Sequence, residues 1–266
     1  MRLLFYAALV LALAGCETVA TTQPGTVGIE RKQTMMVSAQ EIDQAAAQEY
    51  RKVITAAQQK GTLDRNAQHV QRVRTILNRM IPQTAALRAD APKWAWEVHV
   101  IQENQLNAWA MPGGKMVVYS GLIEKLQLTD NELAAIMGHE IAHSLREHAR
   151  ERVSQDMATG LGVSIAGALF GLGEVGTQLA GAVANVTFNL PHSRAHEVEA
   201  DRFGVELAAR AGYDPHAAVS LWQKMLSAGG GGGPQFLSTH PSPENRLADL
   251  KVYADRVMPL YQQARR

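Results

Sequence analysis

The stretch Ile136–Leu145, IMGHEIAHSL, sets two histidines four residues apart, with a glutamate directly after the first, inside an otherwise apolar run. On an α-helix this spacing leaves His139 and His143 about 40° apart in azimuth and about 6 Å apart along the axis, so both imidazoles can aim at one ion. Glu140 is turned about 100° from His139, where a carboxylate can serve as general base beside a water on that ion. The pattern suits Zn²⁺, one per chain, and a zinc ion that does chemistry needs a third protein ligand.

Working outward, Thr129-Asp130-Asn131-Glu132 has the spacing of a capping box, so the motif helix opens there and keeps its period through His143. Extrapolating that period puts His148 on the opposite face from His139, so it is rejected as a ligand and expected to be solvated. A bend at glycine supplying a third histidine would need Gly at 146 and His at 149, where Arg146 and Ala149 stand. The remaining source is HEVEAD, His196–Asp201, which offers Glu197 and Asp201 on one helix face and turns Glu199 about 200° away. One of the two acids can ligate the ion while the other accepts the spare N–H of a ligand histidine and fixes its tautomer.

Upstream, SAQEIDQAAAQEYRKVITAAQQKG reads as a helix capped by Ser38, and LDRNAQHVQRVRTILNRMI as a second. WAWEVHVIQE from Trp94 alternates as a strand does, and NAWAMPGGKMVVYSG places two β-prone arms around Pro112-Gly113-Gly114, a hairpin signal. A small sheet therefore precedes the motif helix. Residues 157–190 are apolar and glycine-rich, and read as two short helices on the core or a lid rather than a membrane hairpin. Helices follow at RAHEVEADRFGVELAARAG and DPHAAVSLWQKMLSA, then the flexible run Gly229–Gly233, then a last helix from about Ser242.

The N-terminus, MRLLFYAALVLALAGC, carries one basic residue, an apolar stretch too short for a comfortable span, and small residues, as a secretory signal does. Its end, Leu13–Cys16, resembles the bacterial lipobox, so residues 1–15 are expected to be removed and Cys16, the only cysteine, lipidated. Residues 16–37 read as a lipidated flexible tether, and 38–266 as the folded domain. The resemblance to Gram-negative lipoproteins, in which Asp at the position after the lipid site signals inner-membrane retention, implies for Glu17 the outer rather than the inner membrane, at the periplasmic face of a bacterial envelope. A net charge of +1 with no clustered basic face argues against nucleic acid as a partner.

NAWAMPGG, HEIAH, EADRFG and THPSPENR occur in that order, at Asn107–Gly114, His139–His143, Glu199–Gly204 and Thr239–Arg246. Over residues 40–258 the chain thereby resembles the zinc metallopeptidases of the CAAX-prenyl-protease and HtpX-like family, peptidase family M forty-eight, in their soluble periplasmic lipoprotein branch. The resemblance implies an α+β, mainly α, gluzincin-type zincin fold with a small β-sheet beside the HExxH helix. It implies His139, His143 and Glu197 as zinc ligands, Glu140 as base and Asp201 as the acid that hydrogen-bonds a ligand. It also implies that the edge strand Asn107, Ala108, Trp109, Ala110, Met111 pairs with the substrate backbone. His240 matches the family's HP element and is expected to reach the site, as an oxyanion stabiliser or in the open zinc position. Arg194 is expected to orient Glu197 or Asp201, or to bind substrate. The implied activity is hydrolysis of unfolded or misassembled envelope proteins. The alternative is an outer-membrane assembly or holding factor with latent proteolysis.

Overall fold

The computed structural model describes residues 17–159, 175–228, 235–241 and 245–266. The expected signal segment with Cys16, the first half of the glycine-rich stretch, the run Gly229–Gly233 and Ser242–Glu244 lie outside them.

Two short strands, β1 (Glu17–Val19) and β2 (Gln33–Met35), pair antiparallel and lead into α1 (Ala39–Gln59) and α2 (Ala67–Met80). Ser38 and Glu41 close a capping box on α1, and Asn66 caps α2 by accepting from Gln68 and His69 N–H. Strands β3 (Glu97–Ile101), β4 (Ala108–Met111) and β5 (Lys115–Tyr119) form a sheet ordered β3-β5-β4, parallel for β3 with β5 and antiparallel for β4 with β5. The expected hairpin at Pro112-Gly113-Gly114 is therefore present. Gly114 has φ +80°, and a Cβ there would stand 2.7 Å from the Trp96 ring, so the turn requires glycine.

The sheet is covered on both faces, as its two-residue alternation dictates. Val98, Val100, Ala108, Met116 and Val118 face the main core, while Ile101, Trp109, Met111 and Val117 face a second cluster around Tyr50. After the short α3 (Ser120–Lys125), the motif helix α4 (Asp130–Leu145) runs through the main core, opened by the expected Thr129–Glu132 capping box. Every residue of α4 from Glu132 to Leu145 is buried. Then come α5 (His148–Ala158), α6 (Val175–Phe188), α7 (Arg194–Arg210), α8 (Ala217–Ser227), α9 (Gln235–Thr239) and α10 (Arg246–Ala264). The architecture is α+β and mainly α, with the small sheet beside the motif helix. No helix among the described residues is long and apolar enough to cross a membrane. The described half of the 157–190 stretch is helix α6, which buries Leu179, Ala180, Val183 and Val186 in the second cluster and sets Phe188 edge-on to Trp109, ring centroids 5.0 Å apart.

The segment expected to be a flexible tether is folded over residues 17–37. Val27, Ile29, Met35 and Val37 are buried, and side chains of that size each contribute about 1.5–3 kcal/mol when fully removed from water. Gln33 Nε2 donates to the Arg146 carbonyl at 2.7 Å, Val27 N–H to Glu206 at 3.0 Å and Met36 N–H to Ser154 Oγ at 2.9 Å. These residues are a strap over α5 and α7.

Candidate metal centre

Helices α4 and α7 cross at two glycines, and this close approach brings His139, Glu140 and His143 of one helix to Glu197 and Asp201 of the other. A Cβ on Gly138 would lie 2.7 Å from the Gly204 carbonyl oxygen, and one on Gly204 would lie 2.7 Å from His139 N. All five site residues are buried. His139 Nε2 and His143 Nε2 stand 3.1 Å apart, with Glu197 Oε2 3.6 Å from the first and Glu197 Oε1 3.4 Å from the second. His240, buried at the end of α9, joins them: one ligand-type atom from each of His139, His143, Glu197 and His240 falls within 4.8 Å of every other.

Protons can be assigned by asking what each outer nitrogen faces. His139 Nδ1 lies 3.0 Å from Asp201 Oδ1, which also accepts from Arg246 Nη2 at 2.7 Å. Asp201 is thus a carboxylate, held below its ordinary value because Arg246 and His139 outweigh its burial. His139 therefore carries its proton on Nδ1 and presents a bare Nε2. His240 Nδ1 lies 3.0 Å from Thr239 Oγ1 and 3.2 Å from the Phe236 carbonyl; the Thr239 hydroxyl donates its own proton to that carbonyl at 3.2 Å, so Nδ1 is the donor and Nε2 is bare as well. His143 Nδ1 lies 2.9 Å from His148 Nδ1, and His148 Nε2 lies 3.1 Å from Glu199 Oε2. Glu199 also accepts from Arg31 and Arg146, so it is ionised, His148 donates to it, and His143 donates to His148. Three bare imidazole nitrogens thus converge on one carboxylate.

Such a set has acceptors only, and a cation fits it. Burial lowers His139, His143 and His240 below the ordinary histidine value, the latter two well below, which keeps them neutral as ligands must be. Burial pushes the Glu197 carboxyl well above its usual value; Arg246 opposes this and Asp201 and Glu140 add to it. Arg246 Nη2 reaches Glu197 Oε2 at 3.1 Å, but Glu197 Oε1 and His240 Nε2 accept no hydrogen bond among the described residues. Imidazole nitrogens with a carboxylate are the donors zinc takes.

Glu140 stands beside this set. Its Oε2 accepts the Ala110 N–H at 3.1 Å, and its Oε1 lies 3.5 Å from His240 Nε2 without a hydrogen bond. Burial, opposed by the Ala110 N–H and by Arg246, pushes its carboxyl up to about 8. A cleft opens here, lined by Trp109, Ala110, Glu140, His143, His192 and His240. Strand β4 is an edge of its sheet, as expected, and Ala110 N–H points away from β5 into the cleft. By the two-residue period, Ala108 presents its N–H and C=O on the same side. Asn107 precedes the strand, and its carbonyl accepts from Tyr119 N–H at 3.1 Å.

Two expectations are corrected. Arg194 is exposed at the start of α7 and makes no hydrogen bond or ion pair among the described residues, so it is not the residue that orients Glu197 or Asp201; the arginine joining those two acids is Arg246. Arg246 ends the THPSPENR motif, and nothing in local spacing separates it from an ordinary helix-start charge. His148 is fully buried rather than solvated. The motif helix stops at Leu145 and Glu147 adopts φ 51°, so His148 begins a new helix and the extrapolated period does not reach it. His192, whose ring centroid is 4.2 Å from that of His143, was not marked by any sequence pattern.

Comparison with known proteins gives the family. The description Peptidase family M48 matches residues 67–254. The mitochondrial metalloendopeptidase OMA1 of Schizosaccharomyces pombe is 37% identical over 160 residues, 59% of this chain and 46% of its own. The beta-barrel assembly-enhancing protease of Escherichia coli is 31% identical over 188 residues, 66% of this chain and 38% of its own. The chain spans less than half the length of either relative. With the family description covering most of its length, from α2 to α10, this chain belongs to peptidase family M48.

Proposed function

We propose that this protein is a zinc endopeptidase that hydrolyses unfolded or misassembled proteins of the bacterial envelope. The observation that carries the reading is the cluster of bare nitrogens and a carboxylate next to buried Glu140, beside the edge strand β4. His139, His143 and Glu197 would hold the ion, and His240 Nε2 would fill a fourth position in the resting site. Bound zinc supplies Lewis-acid polarisation of the scissile carbonyl and of water. Glu140 takes the proton of the attacking water and returns it to the leaving amine. Ala110 N–H fixes the Glu140 carboxylate through Oε2 and leaves Oε1 for that proton. The peptide lies along Asn107–Met111 as an added strand, with backbone groups of Ala108 as partners, so recognition favours extended, unfolded chain over folded structure.

Lipid on Cys16 would tie the protein to the periplasmic face of the outer membrane. Relatives named beta-barrel assembly-enhancing protease support clients or partners in outer-membrane protein assembly. Metal analysis of the purified chain, with casein cleavage with and without a chelator, tests the activity. About one zinc per chain and chelator-sensitive cleavage are expected; cleavage that survives complete zinc removal contradicts the reading.

A further inference from the structure

We propose that Glu199 and His148 form a hydrogen-bond relay that sets the tautomer of the ligand His143, and that Arg31 of the strap holds this relay in place. The proposal rests on the metal reading above and assigns positioning roles to residues that touch neither metal nor substrate.

The two ligand histidines on α4 need the same thing, a proton on Nδ1, and receive it differently. His139 lies within direct reach of Asp201. His143, one turn on, has no carboxylate at its Nδ1; its partner is the imidazole of His148, 2.9 Å away. An imidazole can accept on one nitrogen while donating on the other, so it passes on the orienting effect of an acid that lies farther off. That acid is Glu199, 3.1 Å from His148 Nε2. The reverse proton order would set a bare His148 Nε2 against an ionised carboxylate, and the cations around Glu199 ensure that it is ionised. Arg146 Nε donates to it at 2.8 Å from a fully buried position, and Arg31 Nε at 2.5 Å.

Arg31 is the part of this arrangement that comes from outside the peptidase core. Its guanidinium spans Glu199 and Glu151, and Arg146 Nη2 donates to its carbonyl at 3.0 Å. The strap thus neutralises two buried acids behind the metal centre. His148, Glu151 and His196 could be taken for a second metal site, but Glu151 is already bound by Arg31, Gln33 and His196, and both nitrogens of His148 are used in the relay.

The test uses the full chain labelled with ¹⁵N-histidine. In metal-free protein, long-range ¹H–¹⁵N spectra should show His143 protonated on Nδ1, and His148→Leu should shift it to a mixture or to Nε2. Zinc affinity, measured by competition with a chromogenic chelator, should fall about 10- to 100-fold in His148→Leu, as expected for loss of a ligand's hydrogen-bond partner. Arg31→Ala should give a smaller loss in the same direction, recovered only in part in Arg31→Lys, whose single ammonium cannot span both carboxylates. Should His148→Leu fail to fold, Glu199→Gln, which keeps side-chain shape but not charge, should give the same tautomer mixing. An unchanged tautomer with zinc affinity within about twofold of the wild type overturns the relay and leaves the metal reading standing. Wild-type protein that binds no zinc sinks the metal reading, while the tautomer spectra still decide the relay.

Discussion

Gly138 and Gly204 touch backbone to backbone, and no side chain at either position can be accommodated without moving a helix: a Cβ on Gly204 would lie 2.7 Å from His139 N. This contact sets the distance between the helix bearing the histidines and the helix bearing Glu197. Gly204→Ala is expected to cost roughly 1–3 kcal/mol, the usual penalty for overpacking, although alanine favours a helix more than glycine does. It should also weaken zinc binding at least about tenfold, because the two halves of the site are spread. Thermal unfolding and zinc titration of the variant check both; a stabilised variant with unchanged zinc affinity contradicts this account.

Arg246 is buried, bridges Glu197 and Asp201, and lies over the Trp222 ring at 3.2 Å from its centroid. Removing one partner of a buried charged network typically costs about 3–5 kcal/mol, because the remaining charges are left unpaired. Arg246→Met should therefore lower the stability of the metal-free protein by about that amount, measured by urea unfolding. Arg194→Ala should be neutral, since that side chain is exposed.

Metal uptake should release protons. In the metal-free protein burial pushes the Glu140 carboxyl up to about 8, so it retains a proton near pH 7, and burial shifts Glu197 in the same direction. A cation favours the ionised forms, and apparent zinc affinity should rise with pH across this range. Zinc addition in a weakly buffered solution with an indicator dye measures the release. An affinity that does not change with pH contradicts the burial argument.

The strap should make the fold acid-labile. Burial opposes ionisation of Glu151 and Glu199, but hydrogen bonds from Arg31, His196 and Gln33 to the first, and from His148, Arg31 and Arg146 to the second, outweigh it. Both carboxyls are held well below the ordinary glutamate value of 4.5. An acid whose folded pKa is depressed contributes stability above its unfolded pKa and loses it as pH falls towards the folded one. The native protein should thus lose stability as pH falls below about 4.5. Arg31→Ala should begin to unfold at higher pH than the wild type, by circular dichroism against pH.

Much of the site was legible because its determinants are local. The HExxH spacing, the capping box at Thr129, the Gly-Gly hairpin and the shared face of Glu197 and Asp201 each depend on one element's period. What escaped depends on closure between distant segments. Glu147 turns into a left-handed conformation, with Arg88 and Arg150 on its carboxylate at 2.5 and 2.7 Å, and this break sends His148 back towards His143. The strap has too few apolar residues, widely spaced, to show a period, yet each of Val27, Ile29 and Met35 is buried. Its cue was indirect: Glu151 and Glu199 are acids on helices that pack inward, and such acids require a cation from elsewhere.

The central claim is that a metal held by His139, His143 and Glu197 works with Glu140 as base. Glu140→Gln keeps the side chain's size and an acceptor for the Ala110 N–H, but cannot take a proton. Zinc content and casein cleavage measured together on this variant test the claim most directly. The account predicts about one zinc per chain, as in the wild type, with cleavage reduced at least about 10²-fold, the lower end of what a positioned base contributes. Cleavage at the wild-type rate by the zinc-loaded variant would contradict it.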